Sequence, residues 1–340
     1  MNERELLYYT LRGVHALGRA PMREVVRDSI GLQAQFARNP DCALRLRASN
    51  YAPDWTRDCL KIWAQRGTIH VITADELSLF LSAAGVPEAF TDGAWDISAT
   101  DQNRWAPFIR DEIRSGNDSR DGLKAACLRA GMSEWLLGRV FHGWGGLIKE
   151  MAWRGQLAVN AGMEKRYLIP KPIERIPRDD ARETLIRRYF SAFGPATIAD
   201  CRYFFGWKAR EMQPPLERAL ETLACTRIGN ADYFHLPTLP PAGELPECVL
   251  LPGFDEAILA YRNRSRLMSP ENIRNVINLA GIVFPTIIVR GKIRARWKSD
   301  GDRIQVTPFE RLYKKDERAI TRAFKREYGA KMVTFCNNAN

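Results

Sequence analysis

The segment Gly31-Leu-Gln-Ala-Gln-Phe36 sets two carboxamides, Gln33 and Gln35, two residues apart. On an α-helix that spacing turns them to different faces. On an extended stretch after a glycine cap they share one face, with Leu32, Ala34 and Phe36 on the other. Two amide carbonyls side by side can orient one water and stabilise positive charge developing next to it. Surface or capping roles are the ordinary alternative for such a pair. Other chemistry is missing: there is no P-loop, no G-x-S-x-G and no H-E-x-x-H. His15, His70, His142 and His235 are scattered, and the seven cysteines are dispersed without a C-x-x-C pair. Neither a metal centre nor a disulfide framework is expected, and no cofactor.

The chain that must position these amides has 340 residues, 45% hydrophobic and 27% charged, as in a folded protein of several small domains. Its charge is +11, from 51 Lys and Arg against 40 acids, and 39 of those cations are Arg. The guanidinium fork suits phosphates and base edges, so a polyanionic partner is one reading; a GC-rich genome is the other. Residues 1–170 carry a net +2 and residues 171–340 a net +9, with 14 cations and 6 acids between 290 and 331. Along IIVRGKIRARWKSD, a period of two puts Arg290, Lys292, Arg294, Arg296 and Lys298 on one side. That face must meet solvent or phosphate. No run of 18 apolar residues occurs, so no membrane span is expected. The charged start, MNERELLYY, lacks the apolar core of a signal peptide, and a cytoplasmic location is expected.

One supersecondary order recurs three times: helix, helix–turn–helix, then a two-stranded wing. The third copy is clearest. In 181–193, Leu185, Ile186, Tyr189, Phe190 and Phe193 fall on one helical face. Gly194-Pro195 ends that helix, Thr197 caps a short one, and Gly229-Asn230 turns a hairpin. The second copy has a helix ending at Gly131, a long helix opened by Ser133 and running through Leu137, Val140, Phe141, Trp144, Leu147, Ile148 and Met151, and a hairpin around Ala161-Gly162. Within it the Gly143, Gly145, Gly146 cluster reads as a site of close helix packing. In the first copy DWTRDCLKIWAQRG reads as a helix, and ALRLR and TIHVIT as strands. A Pro-rich linker after 240 leads to strand-like runs. The expected architecture is α+β: winged-helix units at 1–105, 106–175 and 176–240, then a linker and basic β-barrel at 241–340.

GLQAQF, the following ALRLR and GTIHVIT, then RRYFSAFGPATIADCRYFFGW, LLPGFDEAILAYRNRS and IIVRGKIRARWK together resemble the bacterial winged-helix DNA glycosylases of the AlkZ/YcaQ-like family. The likeness covers roughly residues 1–310. It implies three winged-helix units and a C-terminal β-barrel in a C shape around DNA. It also implies excision of alkylated bases such as N7-alkylguanines and, in the AlkZ branch, unhooking of interstrand crosslinks. The family's Gln-Φ-Gln motif corresponds to Gln33-Ala34-Gln35, and Gln35, where the other branch has Asp, sets the chain nearer the AlkZ branch.

The implied activity is that of a monofunctional, metal-independent glycosylase, acting as a monomer on duplex DNA that carries alkylated bases or crosslinks. Thr68 and His70 on the first wing strand either face the glutamines or simply pack. Arg45 and Arg47, read on one strand face, either hold phosphate or form a plain surface pair. In the FDEAILAYRNRS signature, carried by Phe254, Asp255, Glu256, Tyr261 and Arg264, Asp255 and Arg264 are read as an ion pair, with Arg264 also a DNA contact. Arg290, Lys292, Trp297 and Lys298 fit a barrel strand touching the DNA backbone. The rival from another class is a non-enzymatic winged-helix regulator or architectural protein, which would bind intact duplex sequence-selectively through a recognition helix.

Overall fold

The computed structural model describes residues 1–336, apart from the side chain of Ala94. The chain forms two compact units: Met1–Ala52 with the chain from Glu183 onward, and Pro53–Arg182. This two-way division is coarser than the four expected segments and runs through the first of them at residue 52.

The first unit opens with α1 (Glu3–Gly13), whose Asn2 side chain caps the helix while Glu5 returns a bond to the Asn2 amide. Then come α2 (Met22–Asp28), the two-residue strand β1 (Leu32–Gln33) and α3 (Arg38–Arg47). ALRLR is therefore helical. Its spacing separates Arg45, which is exposed, from Arg47, which is buried, where a strand would have aligned them.

The second unit holds β2 (Cys59–Trp63), β3 (Ile69–Thr73), α4 (Leu77–Ala84), α5 (Ala99–Arg114), α6 (Arg120–Arg129), α7 (Glu134–Val140), α8 (Gly146–Trp153), β4 (Ala158–Asn160) and β5 (Tyr167–Leu168). Strands β3, β2, β4 and β5 lie side by side in that order, all antiparallel. The expected helix over DWTRDCLKIWAQRG is instead β2, where Leu60 and Ile62 are buried and Lys61 and Trp63 are half-buried between them. Four alternating residues were masked by helix-compatible flanks. The expected long helix from Ser133 is two helices. Gly145 and Gly146 have φ of 145° and 60°, and a Cβ on Gly146 would sit 2.1 Å from the Arg139 carbonyl oxygen. The glycine cluster breaks the helix, and Trp144 is 72% exposed rather than in the core.

α9 (Arg178–Phe193) leads back to the first unit, where Leu185, Ile186, Tyr189, Phe190 and Phe193 are all buried, as their spacing requires. α10 (Ile198–Phe205), capped by Thr197 and Asp200, is followed by α11 (Ala209–Leu220) and the hairpin of β6 (Ala224–Ile228) and β7 (Ala231–His235). Next come β8 (Cys248–Leu251), α12 (Glu256–Leu259), α13 (Ile273–Val276), β9 (Thr286–Val289), β10 (Lys292–Asp300), β11 (Arg303–Pro308), α14 (Lys314–Tyr328) and β12 (Met332–Phe335). Among the described residues these strands form an open five-stranded sheet, β12-β11-β10-β9-β8, rather than the expected closed barrel. β12 runs parallel to β11, and Ile320 and Phe324 of α14 pack with Ile287, Trp297 and Val306 of the sheet. A helix thus covers an apolar face that barrel closure would otherwise bury.

α1 meets α9 at Gly13, where a Cβ would lie 1.6 Å from the Ala192 carbonyl oxygen. Backbone cannot yield as a flexible side chain does. Gly13→Ala is expected to destabilise the protein by about 1–3 kcal/mol or more in urea unfolding, whereas Gly18→Ala, which meets nothing within 4 Å, leaves the midpoint nearly unchanged.

Candidate active site

The glutamine segment follows α2 through a sharp reversal. The Ile30 amide donates to the Arg27 carbonyl and that of Gly31 to the Val26 carbonyl. Ile30 has φ 55° and Gly31 φ 86°. A fully buried β-branched residue in the left-handed region carries strain of about 1–3 kcal/mol, offset here by burial of the Ile30 side chain. The chain then extends only through Leu32–Gln33 and bends at Gln35–Phe36 into α3. Leu32 and Ala34 are buried as expected. Phe36, expected on their face, is 47% exposed and lies against Phe254, ring centroids 5.4 Å apart. Gln33 is 6% exposed, whereas Gln35 is exposed.

A buried ion cluster holds this segment. The Gln33 backbone N–H donates to Glu256 Oε1 at 3.1 Å. Arg47, 1% exposed at the end of α3, donates through Nη2 to Asp255 Oδ2 and lies with Nη1 3.7 Å from Glu256 Oε2. Asp255 Oδ1 accepts from the Ala257 N–H at 2.8 Å, capping α12. One buried guanidinium thus faces two buried carboxyls. Burial, then the neighbouring Asp255 charge, pushes Glu256 up to about 7 against the pull of Arg47 and the Gln33 amide. Burial also raises Asp255. The extra proton belongs on Glu256, because Asp255 has both the direct Arg47 hydrogen bond and an amide donor.

Several of the expected DNA contacts have partners within the protein. Arg47 is sealed in this cluster and cannot reach phosphate. Asp255 pairs with Arg47, not with Arg264. Arg264 donates instead to the Ile258 carbonyl at 3.0 Å and the Tyr203 hydroxyl at 2.6 Å. Trp297 is buried, donates to the Leu251 carbonyl and packs on Phe324 and Tyr328. Arg290 sits in the β9–β10 turn at φ 52°, paired with Asp316, and Lys292 is paired with Glu3. The basic row does alternate in β10: Ile293, Ala295 and Trp297 are buried, Lys292, Arg294 and Arg296 half-buried and Lys298 exposed. Arg45 is exposed, its guanidinium 4.9 Å from the Tyr328 ring centroid.

In the second unit, Thr68 Oγ1 donates to the Gln65 carbonyl, and His70 is buried with Nδ1 3.0 Å from the Thr68 carbonyl. Burial and the Arg66 charge push His70 down to about 3, so its ring is neutral. Among the described residues no three His, Cys, Asp or Glu side chains gather as a metal site, and no helix is long and apolar enough to cross a membrane.

The model of the family described as DNA glycosylase AlkZ-like matches residues 26–328, a stretch that contains the glutamine segment, Arg47 and the Asp255-Glu256 pair. The chain belongs to the AlkZ-like DNA glycosylase family. It is similar to an interstrand DNA cross-link repair glycosylase of Streptomyces sahachiroi, 24% identical over 315 residues and 84% of each chain. The solved structure of the Streptomyces sahachiroi DNA glycosylase AlkZ shares the mixed α+β fold at a TM-score of 0.81, with 21% identity over 99% of each chain. Sequence reasoning drew attention to Asp255 and Glu256 but missed Arg47 as their partner and the bond to Gln33. The available signal was the row of apolar residues around Asp255-Glu256, a setting that demands a buried cation.

A carboxyl that binds its proton more tightly folded, at about 7, than at its ordinary value of 4.5 stabilises the protein most at low pH. Its contribution fades as pH rises through that window. Glu256→Gln keeps an acceptor for the Gln33 amide and has no proton to lose. Relative to this variant the wild type should lose stability as pH rises from about 4.5 to about 7. Urea midpoints measured in parallel test this, and difference curves flat with pH would remove the assignment. Arg47→Met, which strands two buried carboxyls, is expected to destabilise by about 3–5 kcal/mol.

Proposed function

We propose that this chain hydrolyses the N-glycosidic bond of N7-alkylated purines in duplex DNA, with Gln33 and Gln35 positioning the attacking water. Breaking that bond builds oxocarbenium character on the sugar. An N7-alkylpurine is already cationic and leaves without strong acid assistance. Two neutral amide dipoles can then suffice: they orient water and favour the positive sugar. An intact base remains a poor leaving group, which supplies selectivity for the lesion. The reaction requires no metal or cofactor and no Schiff-base lysine, so the enzyme is read as monofunctional.

The observation that carries this reading is the way the segment is held. The Gln33 main chain is fixed by a buried carboxyl directly after a strained, fully buried reversal. An ordinary surface glutamine pair has no such support, whereas catalytic groups need it. Unhooking of interstrand crosslinks is part of the proposal, supported by the description of the Streptomyces relative as a cross-link repair glycosylase. So are winged-helix units at 1–105, 106–175 and 176–240, supported in the third by three helices followed by a hairpin. The exposed cations Arg45 and Lys298 are read as phosphate contacts.

Single-turnover release of N7-methylguanine from a duplex tests the assignment. Gln33→Ala and Gln35→Ala should each slow release by about 10²–10³ while duplex affinity holds, and chelators should leave the rate unchanged. Release by the double variant at the wild-type rate would remove both residues from the mechanism.

A further inference from the structure

The second unit gathers cations at a place no part of the glutamine mechanism uses. Lys61 of β2 is paired across the sheet with Val159 of β4, and Val159 with Tyr167 of β5. Residues directly opposite one another share a face, so Lys61 and Tyr167 flank Val159 on one side of the sheet. Lys61 Nζ donates to the Gly162 carbonyl at 2.6 Å, which holds the ammonium over the β4–β5 turn. From that turn Lys165 places its Nζ 5.4 Å from the Tyr167 ring centroid and 5.9 Å from that of Trp63. The charges that act on Lys165 are Arg120 and Lys61, both positive. The flanking carboxylates Asp118 and Glu164 are both taken by Arg166, at 2.9 and 2.6 Å. Asp121, beside Arg120, is exposed.

A second observation points to a ligand. Tyr167 is 2% exposed, and its hydroxyl proton has no acceptor within the protein. The neighbouring guanidinium of Arg120 is donor-only, so it cannot accept from that O–H. A buried O–H donor without an acceptor is costly. Three cations and a donor short of an acceptor are together answered by an oxyanion.

We propose that Lys61, Arg120, Lys165 and the Tyr167 hydroxyl form a binding site for one phosphate group of a DNA strand, with the Trp63 indole as its apolar wall. The inference rests on the reading of the chain as a DNA-acting enzyme but is independent of the glutamines. Burial, then the charges of Arg120 and Lys61, hold the Lys165 ammonium down to about 8, and an anion seated there favours its charged form. Neutralising a phosphate also releases counterions, which ties affinity to salt.

The test is binding of an undamaged duplex to the full-length protein over a salt series, by fluorescence anisotropy. Lys165→Gln and Lys61→Gln should each lower the slope of log affinity against log salt by about one. Tyr167→Phe, which keeps the ring, should weaken binding a few-fold with the slope unchanged. Gln33→Ala/Gln35→Ala should keep the full slope, so failure here and failure of the glutamine mechanism remain distinguishable. Inorganic phosphate, titrated against tryptophan fluorescence, supplies the other arm. A saturable response lost in Lys165→Gln, with the DNA slope unaltered, would assign the site to free phosphate and overturn the DNA seat. Unaltered slopes with no phosphate response would overturn the site itself.

Discussion

A single guanidinium facing two carboxyls in a space closed to water organises the first unit. Arg47 ends α3, Asp255 caps α12, and Glu256 is the first residue of α12. Residues more than 200 positions apart are therefore joined where an unpaired charge would be intolerable. Such a cluster is weak evidence of stability, because desolvation of three ionisable groups offsets much of their attraction. Its value is geometric. A buried charge has few alternative partners, so the end of α3, the start of α12 and the Gln33 amide must meet in one arrangement. The segment between α2 and α3 inherits that arrangement at its backbone, leaving its side chains for chemistry.

The reversal before the segment works in the same direction. Ile30 is held at positive φ although isoleucine disfavours it. A residue so placed persists only when its surroundings over-determine it, and the fully buried Ile30 side chain meets that condition. Glycine at the same position would adopt the turn without strain but would lose the buried side chain and gain alternative backbone states. Rigidity at Gln33 thus arises from a carboxyl on one side and a packed, strained turn on the other.

Much of this was legible in the sequence, unevenly and for physical reasons. The apolar face of α9, the Thr197 cap, the Gly229-Asn230 hairpin and the alternation of β10 all follow from local periodicity and turn chemistry, which a short window contains. ALRLR is ambiguous because five residues rich in Leu and Arg satisfy either period, and the helix buries Ala43, Leu44 and Arg47 while leaving Arg45 exposed. The strand in DWTRDCLKIWAQRG was hidden by helix-compatible neighbours. A basic run suggests a surface position for Trp297, but the strand register turns it inward, where it is 5% exposed. Gln33 and Gln35 were conspicuous as residue types, but what holds them lies beyond any local pattern: an acceptor for the Gln33 amide is a contact across 223 residues.

Charge shows the same division between composition and place. The second half of the chain holds nearly all the formal excess, yet Arg290, Lys292 and Arg294 are each matched to Asp316, Glu3 and Glu310. Glu3 comes from the start of the chain, outside the window that holds Lys292, while Asp316 and Glu310 are among that window's own acids, so a windowed count gives a net balance without showing which cations are paired. The first half is nearly neutral by count, but Lys61, Arg120 and Lys165 gather there while Arg166 occupies the nearby carboxylates. A polyanion responds to the local field after such pairings are made, because a cation already paired gives up less on meeting phosphate than one crowded by its own kind. Net charge therefore identifies the class of partner, whereas the residues that engage it must be found where positive groups remain uncompensated in the fold.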